Sequence, residues 1–263
     1  MSEHSGHLSL FARKLGDETA PPLIILHGLL GTSDNWQSLG KRFAETHSVH
    51  VLDQRNHGRS PQYASHQYDD MASDLRAYMD TENLQTASIL GHSMGGKTAL
   101  QFAHEHPEQI DRLVIADMAA RAYTPHHKPI FDALLTAPIA QAQSRGEVES
   151  HIMSQLQDPG MVAFLMKNLR REKSGGFTWR PNLPVLAASL DSVVGSVELN
   201  TNTLPTLLIY GGQSDYVGAA DLQFFDERCL QLETHEIPAA GHWLHASHPD
   251  EFFEVVFDFL NGN

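Results

Sequence analysis

The hydrophobic pattern along the chain switches between two periods. Short continuous apolar runs, "LIIL" at Leu23–Leu26, "LVIA" at Leu113–Ala116 and "LLIY" at Leu207–Tyr210, end in polar or glycine-rich turns. Runs of this kind predict strands buried on both faces, as in a mostly parallel sheet covered by helices. Strands are expected at His7–Arg13, Pro22–Leu26, Ser48–Leu52, Ala87–Leu90, Arg112–Ala116, Thr206–Tyr210 and His235–Pro238. Between them the spacing becomes helical. In "KTALQFAHEHP", Ala99, Leu100, Phe102 and Ala103 form one apolar stripe, and Pro107 marks its stop. In "SHPDEFFEVVFDFL", Phe252, Val255, Val256, Phe259 and Leu260 repeat at helical spacing, and Ser247 with Asp250 resembles a capping box.

From about Ala119 to Asn200 the rhythm changes. Helical patterns dominate, strand signals vanish, and "EKSGGFTWRPNLP" interrupts them with glycine and proline. The expected fold class is α/β, with residues 1–118 and 201–263 forming the core and residues 119–200 a helical cap inserted between strands. An insertion there sits over the C-terminal edge of the sheet, where open α/β sheets bind ligands.

Composition narrows the function classes. The chain has 263 residues, 41% hydrophobic and 19% charged, without repeats or low-complexity tracts, which fits one globular α/β domain. A formal charge of -14 argues against nucleic acid or an anionic membrane as a partner of the whole protein. Cys229 is the only cysteine, so no intramolecular disulfide forms, which fits a reducing compartment. No leader-like segment or membrane-length apolar run stands out, and a cytoplasmic monomer or small homo-oligomer is the expectation.

Three motifs carry candidate chemistry. In "ILGHSMGG", Ser93 lies between Gly91 and Gly95, after an apolar strand and before a helix, the context of a nucleophile elbow. The bare pattern is weak alone. "HGLLGTSDNW" follows an early strand, and its Leu29 N–H, with the Met94 N–H, is positioned in sequence to form an oxyanion hole. Each such donor is worth about 3 kcal/mol of barrier. "PAAGHWLHASHP" supplies a histidine, which a serine hydroxyl needs as a base, and His242, in a loop after a strand, is the favoured choice.

His242, His245 and His248 also share a spacing of three, but Pro249 and the loop before it disfavour a helical metal face, and 17 histidines make such spacings common. Neither a metal nor a redox cofactor is expected. Asp215 in "GGQSDYV" ends a late strand, and Asp117 in "VIADMAA" ends the strand after the elbow helix. Either could orient the histidine. Asp53, Arg55 and His57 in "DQRNHGRS" are expected to stabilise a loop. Lys167, Arg170, Arg171, Lys173 and Arg180 gather basic charge in the insertion. They are read first as a solvated surface and alternatively as a site for the phosphates of a coenzyme-A-like substrate.

Taken in order, "HGLLG", "DQRNHGRS", "GHSMGG" and "GHWLH" resemble the α/β-hydrolase superfamily over essentially the whole chain. More narrowly, "FTWRPNL" and "IYGGQSDYV" join these in resembling the YbfF-type esterases and the eukaryotic α/β-hydrolase domain-containing protein eleven. The resemblance implies a serine esterase or thioesterase acting on small acyl esters or thioesters, acyl-CoA among them. It also implies the acid at Asp117 and a serine, Ser214, beside the histidine, although an aspartate at both 117 and 215 departs from that pattern. A C–C bond hydrolase or perhydrolase on the same residues, and a non-catalytic binding module of this fold, are the alternatives.

Overall fold

A computed structural model describes residues 10–173 and 175–262. The chain opens with β1 (Ala12–Leu15), β2 (Pro22–Leu26), α1 (Gln37–Phe43), β3 (Ser48–Leu52), α2 (Tyr68–Glu82), β4 (Ala87–His92), α3 (Met94–Glu105) and β5 (Ile110–Ala116). An inserted segment follows, with α4 (Lys128–Thr136), α5 (Arg145–Leu156), α6 (Pro159–Met166), β6 (Leu169–Arg171), β7 (Phe177–Trp179), α7 (Leu183–Ala188) and α8 (Leu190–Val194). The alternation then resumes through β8 (Asn202–Gly211), α9 (Ala219–Arg228), β9 (Cys229–Ile237), α10 (Leu244–Ser247) and α11 (Pro249–Asn261).

Among the described residues, seven strands form one sheet in the order β1-β3-β2-β4-β5-β8-β9, parallel except for the antiparallel β1–β3 pair. This is the α/β-hydrolase architecture expected from the sequence. The continuous apolar runs have a direct physical reason, since each strand feeds two cores. Ile24, Leu26, Ile89, Leu113, Ile115 and Leu208 pack with Met71, Leu75, Leu100, Phe102 and Phe225 on one face. Leu23, Ile25, Leu90, Val114, Leu207 and Ile209 pack with Leu39, Phe43, Phe252, Val256 and Phe259 on the other. Burying each of these side chains contributes roughly 1.5–3 kcal/mol.

Several expectations need correction. Expected strand positions 7–9 lie outside the described residues, and the first strand begins only at Ala12. The last strand starts at Cys229, not His235. Among the described residues it is an edge strand, paired with β8 alone, and its exposed side chains, Leu230 among them, leave no continuous apolar run to read. The insertion is not purely helical either. β6 and β7 make an antiparallel hairpin with Leu169 opposite Trp179, and three-residue strands are too short to leave a periodic signature. The capping box at Ser247 does not form. Ser247 belongs to α10 and bonds back to the Trp243 carbonyl, His248 precedes α11, and Asp250 pairs with Arg42 at 2.7 Å.

The insertion holds an apolar cluster of its own, including Phe131, Val148, Ile152, Val162, Leu165, Trp179 and Leu186. Leu30, from the loop after β2, is the core residue buried in that cluster. Among the described residues, no helix is long and apolar enough to cross a membrane.

Candidate active site

Ser93 sits where β4 turns into α3, with φ at +55°, a region that costs a non-glycine residue strain. The two flanking glycines are there for space. A Cβ on Gly91 would stand 2.2 Å from the Gly95 carbonyl oxygen, and one on Gly95 would stand 2.3 Å from that of Leu26. Close packing of the turn against β2 and α3 thus dictates G-x-S-x-G, and the serine is left half-exposed at the sheet edge.

One strand over, Asp117 leaves β5 with φ at +49° and is fully buried. Its backbone N–H donates to the Ile209 carbonyl at 2.8 Å, and its Oδ1 accepts from the Gly211 N–H at 3.1 Å. Its Oδ2 accepts from the Ser214 hydroxyl and from His242 Nδ1, the latter at 2.6 Å. With the Nδ1 proton directed at a carboxylate, Nε2 keeps its lone pair, and that atom lies 2.9 Å from Ser93 Oγ. Strand ends 93, 117 and 211 and the loop after β9 thereby bring a hydroxyl, an imidazole and a carboxylate into one chain of hydrogen bonds. Asp215 is elsewhere. Its side chain is exposed, and its carbonyl lies 3.5 Å from the Arg121 guanidinium.

Facing Ser93 is a small pocket of ≈ 290 Å³, counting its open mouth, lined by Leu29, Met94, Met118, Tyr123, Val194 and Tyr216 among others. Both residues expected to supply oxyanion donors therefore line the same pocket as the hydroxyl. Met94 is the first residue of α3, so its N–H is one of those without a partner inside the helix, at the positive end of the helix dipole. The loop carrying Leu29 is held from behind. The Leu30 N–H donates to His57 Nε2 at 3.0 Å, while His57 Nδ1 donates to the Arg55 carbonyl at 2.9 Å. Asp53 accepts from the Ser33 and Arg59 N–H groups at 2.6 and 2.8 Å, and Arg55 forks onto Asp74 at 2.6 and 2.9 Å. The "DQRNHGRS" segment is a loop brace, as its sequence suggested.

The basic residues of the insertion do not reach this pocket. Arg170 is exposed and pairs with Glu172 at 3.1 Å, Arg171 lies over the Phe177 ring, and Lys173 is exposed. Lys167 is exposed, and Arg180 reaches Asp34 at 3.6 Å. The other two histidines of "GHWLHASH" also have different surroundings. His245 is buried and stacked on Trp36 at 4.3 Å, while His248 accepts or donates at Ser247 Oγ. Among the described residues, no group of three or more His, Cys, Asp or Glu is placed to hold a metal ion.

A family model described as the alpha/beta hydrolase fold matches residues 21–158. The mouse sn-1-specific diacylglycerol lipase ABHD11 is 34% identical over 93% of this chain and 82% of its own length. The chain belongs to the α/β-hydrolase fold family. Esterase YbfF of Escherichia coli is 33% identical over 91% of this α/β hydrolase and 93% of its own length. A solved structure, a marine microorganism esterase, superposes with a TM-score of 0.92 at 35% identity, covering 96% of this chain and 99% of the other.

Around the reactive groups, this hydrolase places residues that the motifs did not single out. His92, just before Ser93, is buried, and its Nε2 donates to the His242 carbonyl at 2.8 Å, fixing the loop that carries His242. Burial first, then the neighbouring His245 and His242, holds the His92 imidazole well below the usual histidine range. His245 is pushed down to about 3, again chiefly by burial. His66 goes to about 4 by burial and the Arg55 charge, and its Nε2 lies 3.4 Å from Met94 Sδ. Tyr216 stacks on the His242 ring. Lys97, fully buried in α3, donates to the Arg121 carbonyl at 2.7 Å and to that of Gly195, tying both ends of the insertion to the elbow helix. For His92 the sequence carried a signal, since a residue wedged between Gly91 and the serine is pinned by the same turn. For Tyr216 and Lys97 it carried none, because their contacts join segments far apart in the chain.

Proposed function

We propose that this hydrolase cleaves carboxylic esters through an acyl-enzyme on Ser93. His242 acts as base and acid, Asp117 as its orienting acid, and the Leu29 and Met94 N–H groups as the oxyanion hole. The observation that carries this reading is the unbroken series Ser93 Oγ–His242 Nε2 at 2.9 Å and His242 Nδ1–Asp117 Oδ2 at 2.6 Å. Esterase and lipase relatives along nearly the full chain support the ester bond as the one cleaved.

In the first step Ser93 Oγ attacks the acyl carbonyl carbon while its proton passes to His242 Nε2. Charge grows on the carbonyl oxygen, where the two backbone donors lower the barrier, and on the imidazole, where Asp117 offsets it. Collapse of the tetrahedral adduct breaks the bond to the alkoxide or thiolate, which leaves with the proton from His242. A water molecule, deprotonated by His242, then attacks the acyl-enzyme, releasing the acid and restoring Ser93. Ser214, donating to Asp117 Oδ2, keeps that carboxylate turned toward the imidazole. Residues 119–200 act as a cap, since Tyr123, His127, Val193 and Val194 form one wall of the pocket.

The narrow, mostly apolar pocket beside Ser93 favours short acyl groups. Because Arg170, Arg171 and Lys173 lie outside its lining, no basic cluster at the pocket argues for coenzyme A over a simple alcohol as leaving group. A panel of p-nitrophenyl and acyl-CoA esters with acyl chains of increasing length tests this. Turnover of short p-nitrophenyl esters, lost in Ser93→Ala, is expected. Absence of turnover on every member would overturn the reading.

A further inference from the structure

The loop after β8 places Tyr216 against the imidazole in a way that orienting it from one edge does not require. The two rings lie face to face, centroids 3.9 Å apart and planes 15° from parallel. Tyr216 is itself fixed from three sides. Its carbonyl accepts from the Tyr123 hydroxyl at 2.8 Å, its N–H donates to Ser214 Oγ at 3.3 Å, and its hydroxyl meets His126 Nε2 at 2.9 Å. The Tyr123 ring packs beside it at 5.0 Å. A ring held this firmly has little freedom to turn away when the charge on its neighbour changes.

We propose that Tyr216 is a positioning residue that holds His242 by its face and stabilises the imidazolium formed when Ser93 gives up its proton. The inference rests on the hydrolytic role given to Ser93 and His242 above. The π-face of a tyrosine carries negative charge density, so it attracts a cation stacked on it more than a neutral ring. That difference is realised only after proton transfer, which is where it lowers a barrier.

The remaining groups near His242 leave this task to Tyr216 and Asp117. From the β5 end comes Asp117, on the Nδ1 edge, and from the elbow come Ser93, on the Nε2 edge, and His92, its ring 4.8 Å away. From α10 comes His245, from the start of the insertion His127, and from the β8 loop Ser214 on Asp117. Burial keeps His92, His127 and His245 in their neutral forms, His127 falling to about 4. They therefore add no competing positive charge. Tyr216 resists ionisation too, burial and the Asp117 charge pushing its hydroxyl up to about 12, so its ring acts as a neutral face.

The test compares wild type with Tyr216→Leu, Tyr216→Phe and a variant carrying 3,4,5-trifluorophenylalanine at position 216, which keeps the shape of phenylalanine but drains charge from its face. Two readouts are taken. One is the pH profile of kcat on a p-nitrophenyl ester. The other is the NMR titration of the His242 ring in a Ser93→Ala background, which needs no turnover and so stands even if the hydrolytic role fails.

Tyr216→Leu is expected to lower the plateau kcat by about 2- to 30-fold and to move the acid limb and the ring titration to lower pH by roughly half to one and a half units. The direction follows because removing the ring disfavours the protonated imidazole, which then sheds its proton more readily. Tyr216→Phe stays within about twofold of wild type, and the trifluorinated variant, matched in shape, falls between Phe and Leu on both readouts. Should the fluorinated and unfluorinated variants titrate alike, or Tyr216→Phe fall as far as Leu, the stabilisation does not come from the ring face and the proposal is overturned. If Tyr216→Leu fails to fold, the Phe pair alone decides.

Discussion

The sheet rim and the inserted segment are built by different rules. At the rim, the groups proposed for catalysis are placed by backbone that has little choice: Ser93 and Asp117 both adopt positive φ, and each is pinned by hydrogen bonds to neighbouring strands. The insertion is built round its own apolar cluster of helices and a short hairpin, and it meets the rim at several polar contacts: Lys97 to the Arg121 and Gly195 carbonyls, the Tyr123 hydroxyl to the Tyr216 carbonyl at 2.8 Å, Asn168 to the Leu30 carbonyl at 2.7 Å and the Asn182 N–H to the Asn56 carbonyl at 2.9 Å. A strained, over-determined rim makes the reaction geometry rigid. The insertion, anchored at those points but packed round a core of its own, lets its interior side chains vary without moving the rim.

Substitutions at the rim should therefore cost catalysis, and those in the insertion should cost stability. The largest loss belongs to Ser93→Ala, which is expected to lower kcat by about 10⁴- to 10⁶-fold in a steady-state ester assay while leaving thermal unfolding nearly unchanged. Asp117→Asn follows, since an amide favours the wrong imidazole tautomer; a kcat loss of about 10³- to 10⁴-fold is expected, against less than about twofold for the exposed Asp215→Asn. Equal losses at 117 and 215 would erase the distinction between a buried orienting acid and a surface carboxylate.

Leu186→Ala, in the buried cluster of the insertion, is expected to cost about 2–5 kcal/mol of stability by denaturant unfolding, with kcat changing far less than at the rim. At the low end, Arg170→Ala and Arg171→Ala, both exposed, should change stability by less than about 0.5 kcal/mol and leave KM for a p-nitrophenyl ester unchanged.

Acid sharpens the comparison in another way. His66 and His245 are held neutral in the fold, near 4 and 3, by burial. In the unfolded chain a histidine titrates near 6.5. Protons then bind the unfolded state first, so the stability these two residues help maintain is complete above that pH and is lost as pH falls from about 6.5 toward their folded values. Thermal unfolding scanned from pH 7 to 4.5 should show a falling midpoint, and His245→Gln should flatten the fall.

How much of this was legible in the sequence follows from the same contrast. Strands β2, β5 and β8 carried continuous apolar runs because both of their faces are largely buried, and the elbow glycines were legible because a tight turn admits no other side chain. The edge strand β9 was read too short because half of its side chains face solvent. The β6–β7 hairpin left no trace because each of its strands is three residues long, too short for a period to show. Choosing between Asp117 and Asp215 lay beyond spacing, since each follows an apolar strand; Asp117 comes directly after β5 and is buried, whereas Asp215 lies four residues past β8 and is exposed, and burial is a property of the packed sheet. Tyr216 over His242 joins positions 26 residues apart, through a loop whose sequence shows no periodicity.

The most direct test of the central claim is a pair of trapping experiments on one preparation: reaction with a fluorophosphonate and with a slowly deacylating ester, each followed by peptide mass mapping. A single adduct on Ser93, formed quickly in wild type and Asp215→Asn and far more slowly in Asp117→Asn, is the predicted result. An adduct on another residue, or equal labelling of Asp117→Asn and wild type, would contradict it.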